Sequence, residues 1–138
     1  MALIPVLVGG ALIIGGGLAV GHANKRKPLP DDIRAQVVAA FQSGNDQTIA
    51  LILSAIRSGA GGKYAGQADV LQRAIQLGLD GLKRVQVQKD LPEDVMALWW
   101  AAIRSGDPKT MRTTSEGLRV RYNAFASALL DCARILGG

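Results

Sequence analysis

The chain has 138 residues, 49% apolar but only 4% aromatic, with one cysteine, one histidine and a formal net charge of +5. That length supports one domain with a real core and is too short for two of ordinary size. Charges spread along the chain argue against disorder. The lone Cys132 excludes an intrachain disulfide, and Cys132 with His22 is too small a set for a metal site.

Residues 2–21, ALIPVLVGGALIIGGGLAVG, contain no charged side chain. At 1.5 Å per residue a helix of that length covers about 30 Å, the hydrocarbon thickness of a bilayer. The run is followed by Lys25, Arg26 and Lys27, three of the 16 basic residues. A secretory signal carries its positive charge before the apolar run, so a membrane anchor is the better reading; burial in a protein assembly is the alternative. The positive-inside rule then keeps the C-terminal side cytoplasmic. Ala11, Gly15 and Ala19 share one helical stripe, and Gly17 and Gly21 form a GxxxG pair, spacings that suit helix-helix association in a membrane. Residues 28–138 hold 13 basic and 11 acidic groups, a net of +2, so much of the excess basicity is local to the anchor.

The next segments form an internal repeat. LPDDIRAQVVAAFQSGNDQT at 29–48 and LPEDVMALWWAAIRSGDPKT at 91–110 are identical at nine of twenty positions with an offset of 62. Each copy reads as a helix. Pro30 and Pro92 suit the first helical position, Asp31, Asp32, Glu93 and Asp94 complement the dipole, and Gly44 and Gly106 suit a left-handed C-terminal cap. Ile33, Val37 and Phe41 share a face, as do Val95, Trp99 and Ile103, and the alanines at 39, 40, 101 and 102 permit close packing.

Asn45 and Asp107 then cap a second helix in each copy, with Pro108 at its first position. Ile49, Ile52, Leu53 and Ile56 are the apolar set of the first of these. A Gly-rich connector, 59–66, leads to a long helix over about 67–89 with Val70, Leu71, Ile75, Leu79 and Leu82 inward. The second copy closes with a shorter helix over 122–136 that carries Phe125, Leu129, Leu130 and Leu136. The predicted fold is all-α: a transmembrane-like N-terminal helix, then a six-helix domain of two three-helix units stacked side by side. The boundaries are 1–22 for the anchor, 23–30 for a basic juxtamembrane linker, 31–89 for the first unit and 90–138 for the second.

The segment AAIRSGDPKTMRTTSEGLRVRYNAFASALLDCARIL resembles tetratricopeptide-type helical repeats: a small-residue helix, a Gly-Asp-Pro turn, a second helix, then Tyr and an Ala/Leu-rich helix. The unit here is 62 residues rather than about 34, and that family's Trp-x-x-Leu-Gly pattern is absent. The resemblance implies a groove that binds peptides or partner subunits.

Catalytic and cofactor motifs do not emerge. The paired carboxylates at 31–32 and 93–94 are explained by the helix dipole. Cys132 has no histidine nearby to activate it. The glycine-rich 58–66 lacks the spacing of a phosphate loop. Two features are candidate partner-binding determinants. Of the adjacent Trp99 and Trp100, either both pack in the core or one is exposed as an interface anchor. Arg104, Arg112, Arg119 and Arg121, with Lys109, give the stretch 104–121 a net positive charge suited to anionic lipid or nucleic acid, or simply to a solvated face. The expected function is non-enzymatic: a single-pass, membrane-anchored structural subunit or adaptor in a homo- or hetero-oligomeric assembly, of a bacterial envelope complex or a phage virion or ejection apparatus. The rivals are a nucleic-acid or anionic-lipid binder using 104–121, and a holin-like membrane-associating protein.

Overall fold

The computed structural model describes residues 26–137. Ala11, Gly15, Gly17, Ala19 and Gly21 of the expected anchor, and Lys25 of the expected linker, lie outside the described residues. Among the described residues there is no strand, and no helix is long and apolar enough to cross a membrane. Six α-helices follow one another: α1 Asp31–Ser43, α2 Asp46–Ser58, α3 Ala65–Lys83, α4 Glu93–Ser105, α5 Pro108–Leu118 and α6 Asn123–Gly137.

The shared sentence of the two copies is reproduced bond by bond at the turns. Gly44 and Gly106 adopt φ of 67° and 64°, and their N–H groups return to Phe41 and Ile103 carbonyls at 3.2 and 3.1 Å. A left-handed backbone favours glycine at those two positions. Ser43 and Ser105 hydroxyls each donate to the carbonyl three residues back, both at 2.6 Å. They also accept from the N–H of Asn45 and Asp107, both at 3.1 Å. Asn45 Oδ1 then accepts from Gln47 and Thr48 N–H, and the Asp107 carboxylate from Lys109 and Thr110 N–H. Donors that a helix start leaves without partners are thereby satisfied in both units.

Pro30 and Pro92 stand one place earlier than their composition suggests. Both are extended, with ψ of 154° and 137°. The Pro30 carbonyl already accepts from Arg34 N–H at 2.8 Å, which makes it the cap rather than the first turn. The connector after α2 is an ordered 3₁₀ turn, Ala60–Gly62, followed by buried Tyr64. Beyond α3 the chain widens into a π-helical turn, Arg84–Gln88, and stops at Lys89 with φ of 57°.

The core is built from Ile33, Val37 and Phe41 of α1, Ile49, Ile52, Leu53 and Ile56 of α2, Val70, Leu71 and Ile75 of α3, and Phe125, Leu129 and Leu136 of α6. Leu79, Leu82, Val95 and Leu130 are only half-buried at its margin. Ala40 and Ala102 are inside, whereas their neighbours Ala39 and Ala101 face out.

The two units do not stack head to tail. Within each, the first helix packs on the second and the second on the third; between them, α1 meets α4, α3 meets α6, and the crossed pairs α1–α6 and α3–α4 also touch. That pattern is unchanged when the units are exchanged. Side chains repeat the symmetry. Gln42 of α1 donates to the Ser105 carbonyl at 3.1 Å, beside Gly106, while its counterpart Arg104 lies over Gly44. The same surface used on both sides is the mark of a two-fold relation, whereas solenoid stacking joins different faces.

Candidate functional site

Three of the five described residues before α1 fix where the chain enters the body. Arg26 Nε donates to Asp131 Oδ1 of α6 at 2.7 Å. The Lys27 carbonyl accepts from Gln67 Nε2 of α3 at 3.3 Å, and Leu29, itself buried, donates its N–H to the Ile135 carbonyl at 2.9 Å. Of the basic triplet, Arg26 is thus committed to an ion pair, and the Lys27 backbone is held against α3. Gln67 is 3% exposed, and its Oε1 has no hydrogen-bond partner among the described residues. Gln67, Asp131 and Ile135 all face this entry segment, and nothing in their spacing along the sequence announces it.

Arg26 is also one wall of a groove of about 280 Å³ between α3 and α6. Val70, Ala74 and Leu77 line it from α3, and Ala124 and Ala128 from α6, with Arg73, Ser127 and Asp131 at the rim. Its floor is apolar, three alanines with Val70 and Leu77, where the third helices of the two units meet. On the other side of Arg73 a polar cleft of about 540 Å³ runs along α2 and α3. There Arg57 pairs with Asp69 at 2.5 Å and donates to Gln72, so its charge is already answered.

The tryptophan pair is core, not surface. Trp99 is 0% and Trp100 4% exposed, so the exposed-anchor reading is overturned for both. Their rings meet edge to face at 5.0 Å, and Trp99 meets Phe125 at 6.2 Å. Each indole N–H is satisfied: Trp99 donates to the Phe125 carbonyl at 3.0 Å and Trp100 to the Gly78 carbonyl at 3.3 Å. Room for them comes from glycine. A Cβ on Gly78 would lie inside contact distance of Trp99 and 2.7 Å from Trp100, and one on Gly81 would lie 2.7 Å from Met96. Adjacent residues can both be buried here because α4 sits between α3 on one side and α6 on the other.

The basic stretch does not converge. Arg104 of α4 lies over the Trp100 ring at 5.4 Å, a cation–π distance. Lys109 and Arg112 are exposed along α5, Arg119 reaches Glu116 at 3.8 Å, and Arg121 is exposed in the link before α6. Arg104 and Arg119 flank opposite ends of an 11-residue helix, about 16 Å long.

Among the described residues no group of three His, Cys, Asp or Glu side chains is placed to hold a metal. Cys132 is fully buried; burial, and secondarily the Asp131 charge, pushes its thiol up to about 12, so it carries no thiolate at neutral pH. The groove presents apolar side chains, three of them alanines, with an ion pair at one end. No protein-family pattern, curated protein or solved structure matches this chain.

Proposed function

We propose that the protein is a membrane-anchored structural or adaptor subunit, in which a six-helix body is fastened to the segment that follows the leader. The observation that carries this reading is the fastening of the entry segment. Arg26, Lys27 and Leu29 each bond to a different site on α3 or α6, so the leader is joined to the body at a fixed point instead of through a loose linker. A spacer for independent domains is usually rich in Gly, Ser or Pro and makes few contacts. The uncharged residues 2–21 supply the anchor, and the helical body supplies surfaces for other subunits.

The test is native mass spectrometry of the full-length protein taken from its source membranes in mild detergent, alongside flotation of the chain on lipid vesicles. A complex with other subunits, and flotation that disappears when residues 2–21 are deleted, are the expected results. A monomer that stays with the soluble fraction would overturn the proposal.

A further inference from the structure

We propose that the α3–α6 groove is the resting place, in water, of this chain's own leader. It takes the large apolar side chains nearest the body, Leu18 and Val20, and gives them up to a bilayer. The inference rests on the anchor reading for the second half of that exchange only; docking in the groove stands or falls separately.

Three observations converge on this occupant. The first is where the described chain begins: Arg26 is itself part of the groove wall, pinned there by Asp131 at 2.7 Å. The leader is therefore joined to the described chain at the groove's wall. The second is reach. Five residues separate Val20 from Arg26, and the six steps between them span at most about 20 Å when extended, enough to turn back over a groove that starts at the tether. The third is chemical fit. Ala74, Ala124 and Ala128 with Val70 and Leu77 form an apolar floor of small side chains. The leader between residues 2 and 21 has no charge to bury and is rich in glycine, which permits close approach. Tethering settles the competition between occupants. A short link presents the leader to the groove at an effective concentration in the millimolar range, far above that of a second copy in dilute solution.

Release follows from the same physics. The groove covers only the part of the leader nearest Arg26, since about 280 Å³ holds a few side chains and not twenty residues. A bilayer can cover all of it, and burial stabilises in proportion to apolar area, so the membrane wins when present. Arg26 and Asp131 remain with the body and mark the hinge point.

The experiment is disulfide trapping in full-length protein made by cell-free synthesis without lipid. Leu18→Cys or Val20→Cys is combined with Ser127→Cys or Ala124→Cys, and copper phenanthroline is the oxidant. Ser127 and Ala124 are exposed positions on α6, and the native Cys132 is fully buried and does not compete. The expected result is an intramolecular disulfide in at least one pairing, in a monomer whose helical circular dichroism matches wild type. Adding phosphatidylglycerol vesicles before the oxidant should lower its yield about tenfold. Disulfide-linked dimers in place of the internal bond would assign the groove to a second copy and overturn the proposal. So would failure of all four pairings in folded protein. A yield unchanged by vesicles that the protein demonstrably binds would overturn the exchange. Internal trapping in a protein that never floats on vesicles would support the docking and sink the anchor reading instead.

Discussion

The first helix of each unit starts from nearly the same letters and ends in the same turn, yet α1 and α4 bury different arcs. Counterparts 62 positions apart show the divergence. Gln36 is buried at 4% where Leu98 is 51% exposed, and Arg34 is half-exposed where Met96 is inside. The cause is volume. Val37 and Val38 of α1 are replaced in α4 by Trp99 and Trp100, which reach α3 where Gly78 leaves room, as Gly81 does for Met96. Caps and turns can be duplicated unchanged because they depend on a few local hydrogen bonds. A core face cannot, because its fit depends on the helix across from it.

Breaking the tryptophan–glycine fit should have the largest effect. Trp99→Ala removes a ring of zero exposure and the bond to Phe125, and should cost about 3–5 kcal/mol in urea unfolding. Gly78→Ala attacks the same fit from the other side. Alanine gains up to about 1 kcal/mol of helix propensity. The added methyl has no space, however, and the net expectation is a loss of about 1–3 kcal/mol. If the fit is the reason, the cost of Gly78→Ala falls when measured in a Trp99→Val, Trp100→Val background, which makes α4 resemble α1; an unchanged cost would break the comparison.

The caps offer a finer contrast. Asn45→Ala should destabilise by about 1 kcal/mol at every pH tested, since no titrating group is involved. Asp107 behaves differently. The Thr110 hydroxyl bond, opposed in part by desolvation and aided by the Lys109 and Thr110 amides, holds its carboxyl below the usual value. A carboxylate whose folded pKa is depressed contributes stability above the unfolded pKa and loses it as pH falls through the folded one. The gap between wild type and Asp107→Ala should therefore be full at neutral pH and close in acid below the ordinary carboxylate range, while the Asn45→Ala gap persists. Cys132 reports from the opposite direction: alkylation by iodoacetamide at pH 8 should be undetectable in folded protein and rapid in urea. The smallest effect is expected at Arg119→Ala, whose exposed pair with Glu116 at 3.8 Å should contribute less than about 0.5 kcal/mol.

Much of this fold is legible in the letters. Asn45, Asp107, Gly44 and Gly106 announce the turns, and Ile49, Ile52, Leu53 and Ile56 announce the buried stripe of α2, because both signals are local. What is not legible is which faces meet. The two-fold relation of the units, the inward position of both Trp99 and Trp100, and the need for glycine at 78 and 81 are all set by partners far away in sequence. The same holds for the groove. Val70, Ala74 and Leu77 read as an ordinary core stripe of α3, and Ala124 and Ala128 as small residues of α6. Only their juxtaposition beside Arg26 makes a surface of them. The charges of 104–121 look like a patch on paper because the chain is one-dimensional; α5 separates their ends.

The bond from Leu29 N–H to the Ile135 carbonyl has a mechanical consequence. With the Arg26–Asp131 pair it is the first coupling, among the described residues, between the entering chain and the helices. A pull on the chain at Arg26 therefore enters the protein through α6, and through α3 by way of Gln67, before it loads α1. Tension is delivered across the helices that join the two units. The contact of α3 with α6 lies on that line, so it bears the load before the rest of the core does.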